Sequence, residues 1–116
     1  MNLDAALVTF ISESRELLAD MEAALLDVEQ AEDKTELINA IFRAAHTIKG
    51  SAGLFRLEPI VAFTHVVESA LDRVRSGAMA VDEDLVGLLL ACRDQMAALI
   101  DAVAEGRTEA DPELSA

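Results

Sequence analysis

Apolar residues recur three and four positions apart along most of this 116-residue chain, and the rhythm breaks where helix-starting and helix-stopping residues stand. The first stretch runs from about Leu3 to Glu29, with Leu3, Leu7, Phe10 or Ile11, Leu17 or Leu18, Met21, Leu25 and Val28 on one face. Glu13, Glu16, Asp20, Glu22 and Asp27 fall off that face and read as its solvated side. Asp33, with Glu36 three residues on, has the spacing of a capping box and predicts the start of a second helix. Counting from Leu37, its core stripe is Ile41, Ala44, Ile48 and Ala52. A third helix is expected near Pro59, because proline suits the first turn, where its missing N–H breaks no bond; Ser76-Gly77 ends it. Ile60, Phe63, Val67, Leu71 and Val74 form its stripe. The fourth runs from about Asp82 to a stop at Gly106, with Leu85, Leu88 or Leu89, Cys92, Met96, Leu99 or Ile100 and Val103 inward. Gly87, inside it, reads as a close helix-packing contact.

Four amphipathic helices with short joins predict an all-α fold, an antiparallel up-down-up-down four-helix bundle over residues 1–106. Residues 107–116 are acidic and have no period, and read as a tail, the start of a linker or a short extra C-terminal helix. The composition agrees. Alanine and leucine, the strongest apolar helix formers, are abundant, and the four Phe are the only aromatic residues.

Charge and cysteine content remove whole classes of function. Nine Lys+Arg against 22 Asp+Glu give a formal charge of −13, with no basic cluster to grip nucleic acid or anionic lipid. The longest apolar run, near Leu85–Cys92, falls well short of the roughly 18 residues that a membrane span needs. The opening Met1-Asn2-Leu3-Asp4 lacks the basic region of a secretory signal. Cys92 has no partner for an internal disulfide, so a reducing, cytoplasmic setting is the expectation. Its place on the buried stripe makes it a small core hydrophobe rather than a reactive thiol.

Chemistry at neutral pH then rests on the two histidines. His46 lies about 180° from the core stripe of its helix, and Phe42, Lys49, Gly50 and Gly53 fall within about 60° of it. Two glycines within a helix cost about 1 kcal/mol each relative to alanine. Either another surface must come close there, or the glycines mark the helix end. A neutral imidazole nitrogen is a competent nucleophile, and a neighbouring ammonium favours an anionic group transferred onto it. Glu68, on the next helix, is a candidate to accept the N–H of the other ring nitrogen and fix the tautomer. By the same count His65 and Glu68 share one flank of the third helix with Val61 and Asp72.

The stretch His46-Thr47-Ile48-Lys49-Gly50-Ser51-Ala52-Gly53 resembles the phosphorylation motif of histidine-containing phosphotransfer domains, in particular the amino-terminal substrate domain of CheA-type chemotaxis histidine kinases. His65-Val66-Val67-Glu68, continuing to Arg75, is similar to that family's third helix with its His-x-x-Glu pair. The resemblance spans about residues 3 to 105. It implies that His46 receives a phosphoryl group on Nε2, that Glu68 accepts a hydrogen bond from the other ring nitrogen, that Lys49 sits beside the phosphoryl group and that His65 supports the network. It also implies that Gly50 and Gly53 let partner surfaces come close, and Phe42, on the same face, joins them as a candidate partner-binding residue. The partners implied are a histidine kinase catalytic domain and a CheY-like or CheB-like response-regulator receiver. ATP would be bound by the kinase, and Mg2+ by the kinase and the receiver, leaving this domain without a cofactor and without catalysis of its own. The sequence departs from the family at Arg56, which stands near the turn where a glycine is common. That leaves the turn geometry open and offers a positive contact to an acidic partner, or a plain solvated turn residue.

Two other classes compete. His46, His65 and Glu68 would make a two-histidine, one-carboxylate metal set, but carboxylate-bridged bundles use Glu-x-x-His pairs and this chain has none. The expectation is no metal. An acidic helical adaptor without phosphotransfer also fits the charge.

Overall fold

The computed structural model describes residues 3–106, as four helices: α1 (Leu3–Asp27), α2 (Lys34–Leu54), α3 (Glu58–Arg75) and α4 (Glu83–Ala104). The expected stripe position Leu3 lies outside the described side chains, and the expected tail 107–116 outside the described residues. Each helix packs against its sequence neighbours and α4 closes against α1, so the bundle is a ring of four around one core. Neighbours run antiparallel. Arg15, midway along α1, meets Asp101, late in α4, at 2.8 Å, and further along α1 the Leu18 carbonyl oxygen accepts from Nε of Arg93, earlier in α4, at 3.0 Å.

The ends form as the sequence directs. Asp33 accepts the Glu36 N–H at 3.0 Å, and Asp82 accepts the Leu85 N–H at 2.8 Å, so each satisfies one donor of a first turn. Glu36 does not complete a reciprocal box; its carboxylate points 3.9 Å from Arg43 instead. Lys34 reaches back to the Glu29 and Ala31 carbonyl oxygens, at 2.6 and 3.2 Å, and so ties the start of α2 to the connection from α1. Pro59 stands in the first turn of α3, one residue after the helix begins.

The core holds Leu18, Met21, Leu25, Ile41, Ile48, Ile60, Val67, Leu71, Met96 and Ile100, each nearly sealed from solvent. Several residues depart from the expected stripes. Ile38, Ala45 and Val86 are buried, whereas Leu37, Phe63, Val74, Cys92 and Val103 are only partly so; of the alternatives Leu88 and Leu89, it is Leu89 that is buried. The physical reason is the ring. A helix packed against two neighbours at once buries a face wider than one stripe, centred between them. A Cβ on Gly87 would meet nothing, so it is no close packing contact. Burial pushes the Cys92 thiol above its ordinary value, in keeping with a packing role.

The turn over residues 55–57 between α2 and α3 positions everything that follows. Gly50 and Gly53 do not stop α2, which runs on to Leu54. Termination comes from a complete Schellman motif, with Arg56 N–H bonded to the Gly53 carbonyl oxygen at 3.1 Å and Leu57 N–H to that of Ala52 at 3.0 Å. Buried Ala52 and Leu57 add the apolar contact that accompanies the motif. Gly77 makes the same motif after α3, with φ of 84°. Arg56 makes it with φ of 56°, a left-handed conformation that costs a residue with a Cβ roughly 1–2 kcal/mol. Arg56 is therefore a strained residue in a turn whose geometry suits glycine. Arg56→Gly should raise the unfolding free energy by about 1 kcal/mol, and Arg56→Ala should not, as measured by urea denaturation.

Candidate functional site

His46 sits midway along α2, between core residues Ala44, Ala45 and Ile48, and its imidazole faces away from them, 64% exposed. On α3, packed alongside, Glu68 belongs to the buried face with Ile60, Thr64, Val67 and Leu71. Its side chain is only 7% exposed, and a carboxylate so placed must be paired or it costs several kcal/mol. Two partners from α2 supply the pairing. His46 Nδ1 lies 2.7 Å from Glu68 Oε2, and Lys49 Nζ lies 2.5 Å from Oε1.

The three residues come together because the antiparallel pairing brings Glu68 opposite the α2 turn that carries positions 46 and 49, which stand on one flank. Lys49 was expected to point outward; it is three-quarters buried, because its ammonium is drawn down to the carboxylate. Burial pushes the Glu68 carboxyl upward, but the contacts and charges of Lys49 and His46 together outweigh burial and hold it below its ordinary value of 4.5. At neutral pH it is a carboxylate, which can only accept. The hydrogen in the 2.7 Å contact therefore sits on His46 Nδ1, and in the neutral ring Nε2 keeps its lone pair on an exposed face. What results is a nucleophilic nitrogen of fixed tautomer, fixed orientation and open approach.

Phe42, one turn earlier in α2, lies nearly parallel to the imidazole, 7° apart in plane and 6.1 Å between centroids. Over its ring stands the guanidinium of Arg75, 4.3 Å from the centroid, in a cation–π contact across α2 and α3. Sequence reasoning gave Arg75 no role. A basic residue in the last turn of α3 is the available signal, since the antiparallel return places that turn beside the early part of α2. Gly50 and Gly53 are bare, with open space where a Cβ would stand, and they extend the accessible surface from His46 toward the end of α2. Arg56 lies exposed just beyond.

His65 is not brought into the cluster. It is exposed on α3 one turn before Glu68, and no hydrogen bond or ion pair joins its ring to His46, Lys49 or Glu68. His65 and Glu68 are neighbours along the helix, as their spacing implies, but they straddle the edge of the packed face, so Glu68 is buried and His65 is exposed. Among the described residues no three His, Cys, Asp or Glu side chains converge as metal ligands, and no helix is long and apolar enough to cross a membrane.

Known proteins share this arrangement of helices. The chain is 46% identical over 94 residues to the chemotaxis protein CheA of Salmonella typhimurium, covering 81% of this chain and 14% of that protein. It is 38% identical over 106 residues to CheA of Rhizobium meliloti, covering 91% of this chain and again 14% of the relative. The chain thus spans about one-seventh of these relatives. Among solved structures, the CheA phosphotransferase domain from Thermotoga maritima superposes with a TM-score of 0.81 at 30% identity, over 90% of this chain and 99% of that one. The phosphorylated P1 domain of CheA3 in complex with CheY6 from R. sphaeroides superposes with a TM-score of 0.82 at 28% identity, over 90% of this chain and 82% of that one. The profile of the Hpt domain family matches residues 5–106, so the chain belongs to the Hpt domains, the histidine-containing phosphotransfer family.

Proposed function

We propose that His46 Nε2 receives the γ-phosphoryl group of ATP from a histidine kinase catalytic domain and passes it to an aspartate of a CheY-like or CheB-like receiver domain in a chemotaxis-type signalling system. The observation that carries this reading is the 2.7 Å contact between His46 Nδ1 and buried Glu68, which leaves Nε2 as the free, exposed ring nitrogen. In the first step the Nε2 lone pair forms the N–P bond as the bond from the γ-phosphorus to the bridging oxygen breaks, and ADP leaves with that oxygen. In the second, an aspartate oxygen forms a P–O bond as the N–P bond breaks, and the electron pair returns to Nε2.

Attack by a ring protonated on Nδ1 makes that ring cationic, and the Glu68 carboxylate offsets the new charge through the hydrogen bond already in place. Lys49 stands one helical turn from His46, where its ammonium can meet the arriving phosphoryl oxygens. ATP and Mg2+ belong to the kinase, and Mg2+ again to the receiver; this domain contributes an oriented nucleophile and a surface. Phe42, Gly50, Gly53 and Arg56 form that surface, with Arg75 fixed over Phe42. The complex of a phosphorylated P1 domain with CheY6 supports a receiver as partner. The adaptor reading has no observation of its own beyond the acidic charge, and a tautomer held by a buried carboxylate has no use in it.

His46→Gln should abolish acceptance of label from a CheA-type kinase domain, and retention of the wild-type rate would remove the central assignment. Glu68→Ala should slow phosphorylation by about 10- to 100-fold, because tautomer and ring orientation are released. Lys49→Met should slow it too, and should lower stability by about 1–3 kcal/mol in denaturant titration, since Glu68 loses its cation. The depressed Glu68 pKa makes its stabilising contribution present above 4.5 and lost as pH falls through the lower folded value. The stability difference between wild type and Glu68→Gln should therefore be full at pH 7 and shrink steadily below about 4.5.

A further inference from the structure

Among the described residues, the buried Thr64 hydroxyl Oγ1 lacks a hydrogen-bond partner, and the nearby buried oxygen Glu68 Oε1 is held by the Lys49 ammonium, 2.5 Å away. They belong to residues four apart on the buried face of α3, and Thr64 is sealed from solvent completely. One is a hydroxyl that can donate; the other is a carboxylate oxygen that can only accept. Lys49 pairs with Oε1, and no other described residue does. Side chains four apart on a helix have Cβ atoms about 5–6 Å from one another, and a glutamate arm is long enough to bring its oxygen within hydrogen-bond reach of a threonine hydroxyl. An unpartnered hydroxyl in a core costs stability that a valine of the same shape would not. A second state in which the hydroxyl has an acceptor accounts for its presence.

We propose that Thr64 is a positioning residue for the phosphorylated domain, donating its hydroxyl to Glu68 Oε1 when the Lys49 ammonium turns from the carboxylate to the phosphoryl group on His46. A phosphoryl group carries close to two negative charges and draws that ammonium away. Glu68 then needs a replacement donor to remain an ionised, fixed acceptor for Nδ1. Thr64 supplies it without leaving the core. The phosphorylated half of this proposal rests on the phosphotransfer reading above, and the Thr64–Glu68 coupling does not.

The test is a stability cycle in which Lys49→Met mimics departure of the ammonium while keeping the aliphatic stem. Thr64→Val alone should leave the Tm unchanged or raise it. In the Lys49→Met background the same change should lower the Tm by about 4 °C or more, and Thr64→Ser should not. Additive effects of Thr64→Val and Lys49→Met would overturn the proposal. Should the double variant fail to fold, the domain phosphorylated on His46 with phosphoramidate gives a second measurement. Exchange of the Nδ1 proton, followed by NMR, should be several-fold faster in Thr64→Val than in wild type and normal in Thr64→Ser; equal rates in all three would overturn it. Because the stability cycle needs no kinase and no phosphate, a failure there is distinct from a failure of His46 to accept label.

Discussion

The buried carboxylate of Glu68 ties the fold of this domain to its chemistry. A charge placed in the face between α2 and α3 is tolerable only if α2 presents donors at the right height, and His46 and Lys49 do so on adjacent turns. The same contacts that make burial tolerable hold the carboxyl in its ionised form, and an ionised acceptor dictates where the imidazole proton sits. Packing thereby settles the tautomer of a residue whose ring is mostly in solvent. The −13 charge of the chain plays no part in this; it belongs to a solvated shell.

Height between two helices is set by the turn that joins them. The Schellman motif at Ala52–Leu57 closes α2 and starts α3 within three residues, and it holds even with Arg56 in a conformation suited to glycine. The strain there is local, and the core contacts of Ala52 and Leu57 offset it. Register errors in this turn would move Glu68 along α2 and separate it from His46. The Arg75 guanidinium over the Phe42 ring adds a second tie between the two helices, away from this turn.

The helices and their ends were legible because capping and termination are local: Asp33, Asp82, Gly77 and Gly106 act within a few residues of themselves. His46 facing out and the bare surface at Gly50 and Gly53 followed from angular counting alone. Faces shared by two neighbours were not legible, since the burial of Ile38, Ala45 and Val86 and the exposure of Leu88 depend on where the ring places adjoining helices. The same limit divided the site. Glu68 was found as a candidate, but that it is buried, that Lys49 folds inward to meet it and that His65 stays outside are decided by the depth of α3 against α2. The Arg75–Phe42 contact spans residues far apart in sequence, and its one local sign, a basic residue in the last turn of α3, does not name the ring it meets.

The central claim is that Nδ1 is committed to Glu68 and Nε2 is the reacting atom. Multinuclear NMR of the domain after phosphorylation by a CheA-type kinase tests it most directly, through phosphorus–nitrogen couplings in ¹⁵N-histidine-labelled protein. The account predicts one phosphohistidine, at His46, with phosphorus bonded to Nε2 and a slowly exchanging proton on Nδ1. Phosphorus on Nδ1, or on any residue other than His46, would contradict it.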